Sequence, residues 1–109
     1  MPIKYFALDL QDDPDLIKEY EEYHQNIWPE IRQSIVGAGI TDMEIYRTGN
    51  RLFMVMETSN DFDGEAKAKS DAENPKVQEW ENLMWKFQKP LPWAKEGEKW
   101  LPLDRIFKL

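Results

Sequence analysis

The sequence predicts an α+β fold of order β-α-β-β-α-β, the ferredoxin-like arrangement of a four-stranded antiparallel sheet with two helical regions on one face. Three observations predict it. Apolar residues alternate at period two in Ile3–Leu10 and again in Thr41–Arg47, where a short turn leads into the apolar run Leu52–Met56. Two long intervening stretches carry apolar residues at helical spacing and are punctuated by Asp13-Pro14 and Asn74-Pro75. The chain of 109 residues is long enough for one core, so a single domain over 1–109 is expected, with no room for a separate cofactor domain.

In the first strand, Ile3–Leu10, Lys4, Phe6, Leu8 and Leu10 fall on one side and Tyr5, Ala7 and Asp9 on the other; the polar QDDPD ends it. Asp13 then reads as an N-cap with Pro14 at the first helical position. The helix is predicted to run to about Val36 and to stop at Gly37 or Gly39, with a kink at Pro29. Met43 and Ile45 alternate with Asp42, Glu44 and Tyr46, and Thr48-Gly49-Asn50 supplies a hairpin turn. Leu52–Met56 is apolar on both faces, so this strand is predicted to be central and covered twice, by the helices and by the sheet of a second copy. A homodimer pairing as an α/β barrel is the expected assembly.

The second helical region begins with Phe62, Ala66 and Ala68 and restarts at Asn74-Pro75, continuing through Val77, Trp80, Leu83, Met84 and Phe87. A loop carrying Trp93 follows from Lys89 to Lys99. The last strand is predicted over Trp100–Leu109, with Leu101, Leu103, Phe107 and Leu109 in alternation.

Composition narrows the function. Twenty-one acidic against fourteen basic residues give a formal charge of −7, which disfavours binding to nucleic acid or to an anionic membrane. No apolar run is long enough to span a bilayer, and the opening MPIKYFALDL reads as a strand rather than a targeting segment, so a cytoplasmic protein is expected. The absence of cysteine removes thiolate catalysis, and a single histidine leaves no recognisable metal-ligand pattern, so no bound metal is implied.

That histidine, His24, lies in YEEYHQNIWPEI. At helical spacing Tyr20, His24 and Trp28 share one face, beside an apolar stripe of Leu16, Tyr23, Ile27, Ile31 and Ile35. An imidazole between a phenol and an indole suits the wall of a sugar-sized pocket, with one group that titrates near neutral pH. Such a residue is, on its own, more often structural than catalytic. Tyr20 and Trp28 are likewise more often core than site, and Trp28 is read here as pocket support. Trp85, Trp93 and Trp100 are read as packing anchors or as part of a dimer seam, and the acidic residues Glu21, Glu22 and Glu30 as a solvated helix face.

The chain resembles the L-rhamnose mutarotases, small dimeric α/β-barrel proteins that interconvert the anomers of a 6-deoxy sugar. The resemblance runs nearly end to end. It rests on Tyr20-x-x-x-His24-x-x-Ile27-Trp28-Pro29-Glu30, Ile45-Tyr46, Leu52-Phe53, Trp80 and the closing Ile106-Phe107-x-Leu109, with the HxxIWPE core its specific part. It implies His24 as proton donor, Tyr20 and Trp80 as sugar contacts, a monosaccharide partner and no cofactor. Met43 and Glu81 depart from the family pattern, which has a tyrosine and a second tryptophan at these substrate-binding positions. The sugar, L-rhamnose or L-fucose, therefore stays open. Tyr46 is a further candidate contact, and Tyr46, Glu81 and Asp104 are weaker candidates for the second proton-transfer group. Two other classes also fit the pattern: a small monooxygenase or haem-degrading enzyme of the same fold with His24 on iron, and a noncatalytic module that binds a sugar or metabolite between aromatics.

Overall fold

The computed structural model describes residues 2–109. Its elements are β1 (Ile3–Leu10), α1 (Pro14–Gln25), α2 (Pro29–Gly37), β2 (Ile40–Thr48), β3 (Arg51–Thr58), α3 (Gly64–Ala72), α4 (Pro75–Trp85), β4 (Gln88–Lys89) and β5 (Leu101–Pro102). The antiparallel sheet has the order β2-β3-β1-β4, with β5 also paired to β1. This is the ferredoxin-like order that the strand and helix patterns predict.

Strand β1 spans the predicted residues, and β3 is flanked by β2 and β1, as its apolar run requires. Registers Phe6↔Met54↔Ile45 and Leu8↔Leu52↔Arg47 place Phe6, Leu8, Ile45, Leu52 and Met54 on one face. The helices cover that face. Leu10, Tyr20, Ile31, Leu52, Val77, Trp80, Met84 and Phe87 form the buried cluster between them. On the opposite face Tyr5 and Tyr46 are about half exposed, whereas Ala7 and Asp9 are buried. Asp9 accepts hydrogen bonds from Arg51 at 2.7 and 3.2 Å, and the Arg51 guanidinium lies 5.6 Å from the centre of the Trp93 ring. The segment that follows β4 thus closes one end of this second face.

The long first helix is in fact two. Asn26 ends α1 with φ −142° and ψ 73°, and Trp28 is extended at φ −60° and ψ 139° before Pro29 opens α2. Proline disfavours helical backbone at the preceding residue and fits the first turn of a new helix, so Pro29 produces a break instead of a kink. Trp28 consequently leaves the helical face of Tyr20 and His24. Asp13 caps α1, accepting from Asp15 N and Leu16 N, and Asn74 caps α4, accepting from Lys76 N and Val77 N. Between α2 and β2, Gly39 has φ +98°, and a Cβ there would lie 2.8 Å from Ser59 Oγ. Only glycine fits both conditions.

The chain's end differs most from the pattern. Only Leu101–Pro102 of the predicted strand Trp100–Leu109 pairs with β1, while Gln88–Lys89, at the start of the predicted loop, takes the rest of that edge. Phe6 pairs with Pro102, so the same register carried onward would reach Ile3 at Arg105 and leave 106–109 beyond the start of β1. Among the described residues, 106–109 pair with no strand. Ile106, Phe107 and Leu109 are exposed despite their apolar character. Among the described residues, no helix is long and apolar enough to cross a membrane.

Candidate active site

A cavity of about 670 Å³ lies between the helix-side face of the sheet and the helices. Tyr20 and His24 enter it from α1, Trp80, Glu81 and Met84 from α4, and Met43, Ile45, Met54 and Met56 from the sheet. Gln88, Lys99 and Trp100 complete it from the two ends of the loop after α4. Apolar and aromatic side chains make up more than half of the wall, and charged groups, Arg32, Asp42, Lys67 and Asp71 among them, line it as well.

His24 stands one helical turn beyond Tyr20, with ring centres 4.2 Å apart. Its Nδ1 lies 2.9 Å from the Tyr20 carbonyl oxygen, and a carbonyl can only accept, so Nδ1 carries the proton. This leaves Nε2 as the ring's basic atom in the neutral form. Burial pushes the imidazole pKa below its ordinary value, and the Tyr20 carbonyl opposes that shift. The downward shift favours the neutral imidazole at neutral pH.

Tyr20 is 3% exposed. Burial pushes its pKa up to about 12, the Gln88 side chain facing its hydroxyl draws it down, and the nearby Glu81 carboxylate raises it. The phenol stays protonated and serves as a hydrogen-bonding group. Trp80 meets Tyr23, His24 and Trp28 with ring centres 6.2, 5.6 and 5.1 Å away, each tilted towards an edge contact. Trp28 does not line the cavity; it packs against Trp80. Glu81 is paired with Lys99, whose ammonium also lies 4.7 Å from the centre of the Trp85 ring.

Tyr20, His24, Met43, Trp80 and Glu81 are thus brought together around one cavity. Tyr46 is not among them. Its neighbours in β2 point inward, so its own ring is 54% exposed on the other face of the sheet, and its hydroxyl donates to Glu44. It borders a second depression together with Tyr20, Glu21, His24 and Arg47. Asp104 is exposed in the terminal segment and does not line the cavity. Gln88, Lys99 and Trp100 were not legible as site residues, because neither periodicity nor a motif marks the ends of an irregular loop. No group of three or more His, Asp or Glu that could hold a metal occurs among the described residues.

Fold and cavity define a small ferredoxin-like protein with an aromatic-walled pocket. The chain belongs to the L-rhamnose mutarotase family, whose description matches residues 4–109. An L-fucose mutarotase of Xanthomonas campestris is 49% identical over 106 residues, covering 95% of this chain and 85% of that protein. An L-rhamnose mutarotase of Phocaeicola vulgatus is 31% identical over 98 residues, covering 88% of each. The crystal structure of an L-rhamnose mutarotase from Formosa agariphila superposes with a TM-score of 0.72 over 100% of this chain and 99% of that one, at 22% identity. Tetracenomycin F2 cyclase of Streptomyces glaucescens, a polyketide cyclase, shares the fold at a TM-score of 0.60 and 11% identity, over 100% of this chain and 99% of that one. The family relation makes this chain a sugar mutarotase, and the fold alone would not have done so.

Proposed function

We propose that this mutarotase interconverts the anomers of L-fucose in preference to L-rhamnose, with His24 as the proton-transfer group. The observation that carries the reaction is the half-buried imidazole whose Nδ1–H is held by the Tyr20 carbonyl beside Tyr20 and Trp80. The sugar preference is supported by the relative at 49% identity, an L-fucose mutarotase, against 31% for the L-rhamnose mutarotase of Phocaeicola vulgatus. Met43 and Glu81 support it too, since they replace a phenol and an indole of the family pattern by a thioether and a carboxylate, which changes how the wall meets sugar hydroxyls.

Mutarotation breaks the C1–O5 bond of the pyranose, forms the aldehyde and recloses the ring on the other carbonyl face. Protons move and no electrons are exchanged. Neutral His24 takes the anomeric hydroxyl proton at Nε2, and the resulting imidazolium donates it to the ring oxygen as C1–O5 breaks. Rotation about C1–C2 presents the other face of the aldehyde, and the same steps run backwards. Trp80 offers an aromatic surface to the C–H face of the sugar, while Tyr20 and Glu81 position hydroxyls.

The proposal includes a homodimer in the cytoplasm. The half-exposed Tyr5 and Tyr46 on the second face of the sheet, and the exposed Ile106, Phe107 and Leu109 of the terminal segment, support an interface of sheet faces. The cysteine-free chain suits a reducing compartment.

Exchange NMR on the anomeric protons of L-fucose and L-rhamnose tests the reaction. The protein should accelerate exchange of both above the buffer rate, with the larger kcat/KM for L-fucose. Binding without acceleration would make the chain a sugar-binding module instead. The pH profile tests His24: its neutral form starts the cycle, so kcat/KM should be level near pH 7 and fall as the medium becomes more acidic. Because burial lowers the pKa, the midpoint of that fall should lie below the ordinary histidine value of 6.5. A rate that rose on acidification would contradict this assignment.

A further inference from the structure

One polar group in the cavity has no partner. Gln88 is 4% exposed and lines the cavity, yet its side-chain oxygen is buried without a hydrogen bond. Its backbone is firmly held: Gln88 pairs with Leu10, and its carbonyl accepts from Gln11 Nε2 at 3.2 Å. Its carboxamide faces the Tyr20 hydroxyl, and Glu81 lies close enough to act on the same phenol. A carboxamide oxygen left unpaired in the interior is destabilising, so such a group is expected to have a partner in the working state. The terminal amide torsion of glutamine is broad, which lets the oxygen turn towards a ligand at little cost. Trp80 and Tyr20 line the same cavity and carry donors, an indole N–H and a phenol O–H, yet neither is bonded to the Gln88 oxygen.

We propose that Gln88 is a substrate-contact residue, whose side-chain oxygen accepts a hydrogen bond from a ring hydroxyl of the bound sugar. With Glu81, which Lys99 holds in place, it gives the Tyr20 side of the cavity two hydroxyl acceptors of different charge. Gln88 takes no proton in the reaction; it helps decide which sugar is held and in what pose. This rests on the mutarotase reading above.

The test is exchange NMR with L-fucose on the wild-type protein and on Gln88→Leu, resolved into kcat and KM and accompanied by thermal melting. Removal of the acceptor should raise KM about tenfold or more while kcat changes far less. The melting temperature should hold or rise, since leucine leaves no oxygen unpaired. The monodeoxy analogues of L-fucose locate the contact: one should bind the wild type more weakly than L-fucose by a similar factor, and lose nothing further on Gln88→Leu. A KM within twofold of wild type, or every deoxy analogue losing as much on the variant as on the wild type, would overturn the assignment and leave a water-satisfied structural amide. A wild type that accelerates neither sugar would remove the mutarotase reading and this one with it, whereas an active wild type with an unaffected variant removes only this one. If Gln88→Leu does not fold, Gln88→Met, similar in length and without a strong acceptor, carries the same comparison.

Discussion

His24→Gln is expected to lower the enzymatic acceleration of anomer exchange by roughly a hundred- to ten-thousandfold, the usual worth of a positioned acid–base group. Glutamine keeps a polar side chain on the same turn of α1 but cannot take and return a proton near pH 7. His24 is only partly buried, its ring tilted against Tyr20 and edge-on to Trp80, so the variant should remain folded. KM should move little, because Tyr20, Trp80 and Glu81 still line the cavity. The measurement is saturation-transfer NMR on the anomeric protons, with wild type and variant at equal concentration in one buffer. A variant retaining a fifth or more of the wild-type kcat would mean that the proton travels through another group.

Phe87→Ala should carry the largest cost in stability, about 3–5 kcal/mol. Phe87 is fully buried and packs against Tyr20 and Tyr23, with ring centres 6.1 and 5.8 Å away. It also joins α4 to β4, since its amide bonds to Met84 and its carbonyl accepts from Gln11 N at 2.7 Å. Truncation removes apolar contact area and leaves a cavity that the rigid strand and helix ends cannot close. Urea unfolding should show the loss as a lower midpoint, and the melting temperature should drop by more than about 10 °C. A loss under about 1 kcal/mol would show that this corner of the core repacks freely. The site should feel the same change, because Phe87 sits beside Gln88 and against Tyr20.

Strand β1, the hairpin of β2 and β3, the central place of β3 and the Asn74 cap all follow from local chemistry: alternation, a glycine turn, and a capping side chain before proline. These signals depend on neighbours within a few residues, so the sequence contains them outright. The pairing of Tyr20 with His24 is of the same kind, one helical turn along α1. Local pattern misjudged Pro29, where a proline in a helical run was read as a kink; a proline suits the opening of a helix as well as it disturbs the middle of one, and only the extended backbone of Trp28 decides between them.

Other features depended on contacts between distant residues. Leu101, Leu103, Phe107 and Leu109 alternate like a strand, but a strand exists only where an edge is free to pair. The register along β1 gives that edge to Gln88–Lys89 and Leu101–Pro102 and to nothing after Arg105. Tyr46 is a candidate contact in the sequence, yet successive strand residues face opposite ways, so the sheet turns it from the cavity that Ile45 lines. Gln88, Lys99 and Trp100 reached the site by the reverse route, from loop ends whose direction no periodicity records. By itself the sequence determined the order of strands and helical regions, the family and the candidate histidine; the tertiary structure decided where the helices break, how the last strand pairs and which polar groups surround that histidine, because those depend on where distant segments dock on β1.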